Sequence, residues 1–121
     1  MSNQRTLLDF DKASIAGVPD GMTIDNKNNL WIACWGGSQI INVDSNTGAL
    51  LYIIKMPAER VTSLAFGGKY YDILFVTTMK TGLTPAQIQT QPSAGALFSI
   101  HGLPVIGNYN NPAANCAPVL D

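Results

Sequence analysis

The sequence restarts on itself after about forty residues, and that restart limits the folds open to it. The order D-G-M-T-I-D, L-W-I-A-C-W, G-S-Q-I-I-N-V-D aligns with T-S-L-A-F-G, I-L-F-V-T-T, G-A-L-F-S-I-H-G. Gly21 maps near Ser63 and Leu30 near Ile73. Units of ~40–45 residues built from short strands are the size of one propeller blade. The sequence therefore predicts an all-β chain holding about two blades. A small β-sandwich fits the strand count but not the repeat.

The strand expectations follow from apolar, β-branched runs bounded by turn residues. They fall at 5–10, 21–25, 30–35, 39–44, 49–56, 61–66, 73–78 and 95–100. The first turn is Pro19-Asp20-Gly21, taken to lead into the strand at Gly21. Further turns fall at 26–29, at Gly36-Gly37-Ser38 and at 45–48, and Pro57 closes the fourth strand. A polar excursion from Lys80 to Ser93 has room for one helical turn around 84–90. The tail from 108 to 121 reads as irregular, so the propeller region is placed at 1–107.

Composition excludes several partners. A formal charge of −1 with only 12% charged residues leaves no basic surface for nucleic acid. No apolar run approaches the ~18 residues of a membrane span, and the N-terminus lacks a signal peptide's apolar stretch. The expectation is a soluble, cytoplasmic chain. Two distant cysteines, Cys34 and Cys116, make no disulfide framework. Cys34 reads as a buried small hydrophobe.

The run G-V-P-D-G-M-T-I-D-x-x-x-N-L-W-I-A-C-W-G-G-S-Q-I carries a resemblance. So do D-S-N-T-G, T-S-L-A-F-G-G-K-Y-Y-D-I-L-F-V-T-T and Q-P-S-A-G-A-L-F-S-I-H-G-L. Together, over residues 5 to 107, they resemble the C-terminal part of the regucalcin family. That family is also called senescence marker protein 30, gluconolactonase or luciferin-regenerating enzyme. The resemblance implies a six-bladed β-propeller with a divalent metal (Ca²⁺, Zn²⁺, Mn²⁺ or Mg²⁺) on its axis. It implies hydrolysis of small sugar lactones, with calcium binding as a further property. It gives the aspartate of Pro-Asp-Gly, Asp20 here, two roles: metal ligand and general base in catalysis. The family's other metal ligands are a glutamate of the first blade and an asparagine of the middle. Like its substrate-contacting arginine, asparagine and glutamate, they have no counterpart in this chain. The fragment alone is therefore expected to be inactive.

Asp20 has a second reading as turn chemistry, because Pro-Asp-Gly is a common turn. Asp25 and Asp44 read as turn or cap residues, and Trp31 and Trp35 as core or inter-blade packing. His101 reads as structural, Gly67-Gly68 as a strand-end turn, and Lys55, Arg60 and Lys69 as scattered solvated charges. No nucleophilic triad is supported. The non-enzymatic alternative is a calcium-binding or protein-interaction propeller segment, with contacts on the 80–93 excursion. Two blades alone leave open faces. Three outcomes are weighed: a partial chain, an unstable one, or self-association in which three copies complete six blades.

Overall fold

The computed structural model describes residues 8–108. Seven strands form two antiparallel sheets. The first holds β1 (Val18–Ile24), β2 (Leu30–Trp35), β3 (Gln39–Val43) and β4 (Leu50–Lys55), in that spatial order. The second holds β5 (Val61–Gly67), β6 (Ile73–Thr78) and β7 (Leu97–Ile100), also in order. Sequential hairpins of this kind are what one blade requires. The second blade has three strands among the described residues, against four in the first.

Three expectations need correction. Residues 8–10 are not strand; a turn begins at Phe10, and 5–7 lie outside the described residues. Pro-Asp-Gly is not a turn ahead of the strand. It lies inside β1, which runs from Val18 and pairs with β2 at both Val18↔Trp35 and Met22↔Ile32. Pro19 is tolerated there because β1 has a hydrogen-bonded neighbour on one side only within its sheet. Arg60 is not a solvated charge. Its guanidinium lies 4.9 Å from the centre of the Trp35 ring, and its Nη1 donates to the Thr81 carbonyl at 2.5 Å. Residues 109–121, nearly all of the tail, lie outside the described residues.

The excursion does contain a helix, α1 (Pro85–Thr90). Thr84 caps it: the Gln87 N–H donates to the Thr84 hydroxyl, and the Thr84 N–H donates to the Gln87 side chain. No residue of α1 is buried.

The sheets converge at their first strands and bury one core between them. Trp31, Ala33 and Ile40 of the first sheet meet Leu64, Phe66, Leu74 and Val76 of the second. Trp31 and Phe66 pack edge to face, with centroids 6.1 Å apart. The alternate residues Ile32, Cys34, Ile41 and Val43 face the other way, where Phe10 and Ile15 cover them. That alternation explains why the L-W-I-A-C-W run is apolar throughout: it is buried on both faces.

Asp25 is fully buried and holds the β1–β2 turn. Its Oδ1 accepts from the Lys27 and Asn29 amides at 2.8 and 3.1 Å, and its Oδ2 from Trp31 Nε1 at 2.9 Å. A turn role was expected of it; the bond to the core tryptophan was not. The chain beyond β7 returns to this turn. Asn26 N–H donates to the Ile106 carbonyl at 2.8 Å, and Asp25 bridges Gly107.

Two outcomes follow. Asp25→Asn turns an amide N–H₂ towards the Trp31 N–H, leaving a buried donor unsatisfied. It should cost about 1–3 kcal/mol in urea denaturation, and an unchanged midpoint would refute the bond's weight. Burial pushes the Cys34 thiol up to about 11, with Lys55 pulling slightly the other way. The raised value means that this contribution to stability is complete below the unfolded thiol's pKa. It is lost as pH rises towards 11. At pH 8 an alkylating reagent should spare Cys34 in the folded chain and modify it in denaturant, read by peptide mass. Equal rates in both would contradict the burial.

Candidate functional site

The site is built on irregularities in the two inner strands. In β1 the register shifts between Pro19↔Cys34 and Met22↔Ile32, so Asp20 and Gly21 stand opposite one residue, Ala33. In β5 it shifts between Val61↔Thr78 and Ser63↔Thr77, which leaves Thr62 as the extra residue. Both are β-bulges, which re-aim a side chain at the rim of a sheet. The repeat that maps Gly21 onto Ser63 thus maps Asp20 onto Thr62.

The two bulges lie side by side. A Cβ added to Gly21 would stand 2.8 Å from the Ser63 Cα, closer than real Cβ atoms come to backbone. Glycine is needed there because the inner strands touch. The strands also begin at the same end of the molecule. Trp35 pairs with Val18 at the start of β1 and bridges Arg60 just before β5. Asp20 and Thr62 therefore share one end of the inner surface.

Asp20 is exposed, and its carboxylate has no hydrogen-bond or ion-pair partner among the described residues. The other aspartates with a site reading are engaged. Asp25 is spent on the turn and Trp31. Asp44 Oδ1 accepts from the Thr47 and Asn46 amides at 3.0 and 2.8 Å, which holds its pKa below the usual carboxylate range. His101 is exposed and bonds Ser99 Oγ at 3.1 Å, far along the chain from Asp20. Thr62 Oγ1 lies 2.7 Å from Thr77 Oγ1, and Thr77 Oγ1 donates to the Ser63 carbonyl at 3.3 Å. If Thr77 spends its proton on that carbonyl, Thr62 donates to Thr77 and keeps its lone pairs as acceptors.

A carboxylate and a hydroxyl oxygen suit a hard divalent cation. Among the described residues no three His, Cys, Asp or Glu side chains gather to hold one. Asp20 fits as one ligand of such an ion, and the described residues do not complete its shell. Thr62 was missed in the sequence, because T-S-L-A-F bears no mark of a bulge; only the alignment of Ser63 with Gly21 points to it.

The 79–96 excursion rises from the same end. Gln91 fastens it there, its side-chain oxygen accepting from the Glu59 amide at 2.8 Å. Gly95 N–H donates to Thr78 Oγ1 at 3.0 Å, and Arg60 holds Thr81. At the opposite end a cavity of about 260 Å³ is lined by Asp25, Lys27, Asn29, Asn42 and Tyr52 among others.

Comparison with known proteins follows the same lines. A family profile described as the SMP-30/gluconolactonase/LRE-like region matches residues 1–80. Regucalcin of Danio rerio is 42% identical over 107 residues, which is 88% of this chain and 36% of that protein. Human regucalcin is 40% identical over 107 residues, covering 88% and 35%. A solved luciferin-regenerating enzyme superposes with a TM-score of 0.78 at 39% identity, over 87% of this chain and 34% of its own. A regucalcin of Agrobacterium tumefaciens, described as a calcium-binding protein, gives 0.70 at 25% identity, over 79% and 32%. The chain spans about a third of the length of the relatives it matches. No helix among the described residues is long and apolar enough to cross a membrane.

The contact between the bulges gives a direct test. Gly21→Ala should force the inner strands apart and cost about 1–3 kcal/mol in denaturant unfolding. Ser63→Gly in the same chain should recover part of that loss. A fully stable Gly21→Ala chain would mean that the strands do not meet there.

Proposed function

Because the chain belongs to the SMP-30/gluconolactonase/LRE-like family, we propose that it carries one wall of a divalent-metal lactonase site. In this reading Asp20 is the wall's metal ligand and proton acceptor. The observation that supports it is a free, exposed carboxylate on a bulged inner strand. Asp25 and Asp44, by contrast, are consumed by their own turns.

A lactone is a cyclic ester, so its hydrolysis needs a polarised carbonyl and an activated water. A bound divalent ion supplies the polarisation. The residues of this chain do the rest of their share. Asp20 would hold such an ion through its carboxylate and would serve as base to a water that attacks the carbonyl carbon. Asp20 takes that water's proton as the C–O ring bond opens, and the proton passes to the leaving alkoxide. Thr62, beside it, orients the same water through its acceptor oxygen. The remaining ligands and the substrate-binding residues come from regions of the relatives outside the matched third. This chain alone therefore binds metal weakly and turns over little.

A second reading, a calcium-binding or protein-interaction segment without catalysis, draws on the single carboxylate and on the calcium-binding description of the Agrobacterium regucalcin. The two readings separate in a chimera. The 107 residues of this chain that match the Danio regucalcin replace their counterpart in it, and gluconolactone hydrolysis is followed with added Mn²⁺ or Ca²⁺. The lactonase reading expects hydrolysis that falls by roughly 10²–10⁴-fold on Asp20→Asn. Absence of hydrolysis in a folded, metal-binding chimera favours the second reading. In the chain itself, millimolar metal should raise the melting temperature of the native sequence and of Asp44→Ala, but not of Asp20→Ala. A shift that survives Asp20→Ala would remove Asp20 from the metal site.

A further inference from the structure

The two bulges face different residues on the neighbouring strand, and that difference sets how each bulged side chain is held. The pair Pro19↔Cys34 corresponds to Val61↔Thr78, and Met22↔Ile32 to Leu64↔Val76. Asp20 therefore stands opposite Ala33 as Thr62 stands opposite Thr77. Ala33 is fully buried and its methyl offers the Asp20 carboxylate no polar atom. The acid is left to turn its oxygens towards whatever approaches it. Thr77 brings a hydroxyl instead, and its Oγ1 lies 2.7 Å from Thr62 Oγ1.

That hydroxyl supplies what the backbone does not. Thr62 is the extra residue of its bulge and has no cross-strand pair to fix it. Thr77 lies on β6, the central strand of its sheet, paired with Ser63 on one side and with Leu97 on the other. A group on a strand held from both sides is a rigid anchor. The direction of the bond follows from counting protons, since each hydroxyl has one. When Thr77 donates to the Ser63 carbonyl at 3.3 Å, Thr62 donates to Thr77 and both bonds form. When Thr77 donates to Thr62, the Ser63 carbonyl loses that donor and one bond replaces two. The first arrangement is the more stable. It leaves Thr62 with lone pairs and no proton to offer. Such an oxygen receives an O–H and repels a carbonyl oxygen.

We propose that Thr77 is a positioning residue for lactone hydrolysis: by taking the Thr62 proton it makes Thr62 an acceptor, which holds the attacking water by one O–H and turns the lactone carbonyl oxygen away. The other proton of that water is the one that passes to Asp20. Neither threonine gains or loses a covalent bond. The inference rests on the lactonase reading of Asp20.

Thr77→Val keeps the size and β-branch of the side chain and removes the hydroxyl; Thr77→Ser keeps the hydroxyl. Three-bond couplings across Thr62 χ1 read the anchor directly. They should report one rotamer in the native sequence and in Thr77→Ser, and a mixture in Thr77→Val. In the Danio regucalcin chimera, Thr77→Val should lower kcat for gluconolactone by roughly tenfold with KM little changed, and Thr77→Ser should restore it. A single Thr62 rotamer in Thr77→Val overturns the anchor. A mixture of rotamers with undiminished kcat overturns the positioning role and leaves the lactonase reading standing. A metal-binding chimera of native sequence that never hydrolyses the lactone fails the lactonase reading itself and takes this inference with it.

Discussion

A buried carboxylate decides how the two sheets meet. Asp25 is out of contact with water, and it persists because both of its oxygens are occupied: two turn amides on one, the Trp31 indole on the other. An unpaired carboxylate at that depth would cost several kcal/mol. With the bonds in place, Trp31 is fixed edge-on to Phe66, and the inter-sheet core forms around that pair. The Ile106–Gly107 segment then closes on the same turn. At the other end Arg60 lies over Trp35 and the Glu59 carbonyl accepts from the Gly36 amide at 3.0 Å. The blades are thus latched at both ends, and the inner strands are held in contact between the latches. That contact is what puts the Asp20 bulge beside the Thr62 bulge.

The architecture is all-β, about two blades of the six-bladed propeller shared with the regucalcin and luciferin-regenerating enzyme structures. Structural order falls off outward. The first strands touch, β2 and β3 bury both faces, and β4 carries a run of exposed apolar residues from Leu50 to Ile53. The end that carries Asp20 also carries the fastened excursion, whereas the Asp25 end is tied up by turn hydrogen bonds. The exposed Asp20 bulge and the buried Asp25 turn therefore lie at opposite ends of the inner strands.

Much of this was legible in the sequence. The repeat gave two blades because each hairpin keeps its apolar alternation and its turn glycines, and Trp31 read correctly as packing. What was not legible depended on contacts between distant residues. Pro-Asp-Gly looked like a turn because its local chemistry is that of a turn. Only pairing with Cys34 and Ile32 on both sides makes it a bulge within a strand. Arg60 looked solvated because it follows the charged Glu59 just after Pro57; its partner is an aromatic ring twenty-five residues back. Thr62 had no visible signal apart from the repeat. The role given to Asp20 came through family resemblance, since a lone carboxylate in a turn-like stretch specifies no chemistry by itself.

The central claim is that Asp20, among the carboxylates of this chain, is the one directed at a divalent cation. Paramagnetic broadening by substoichiometric Mn²⁺ in an amide nitrogen–proton spectrum tests it most directly, because it reports even a weak site residue by residue. The account predicts early loss of the Asp20, Gly21, Thr62 and Ser63 amide signals, with those of Lys27, Asn29, Asn46 and Thr47 retained. Loss centred on the Asp44 turn, or spread evenly over the exposed carboxylates, would contradict it.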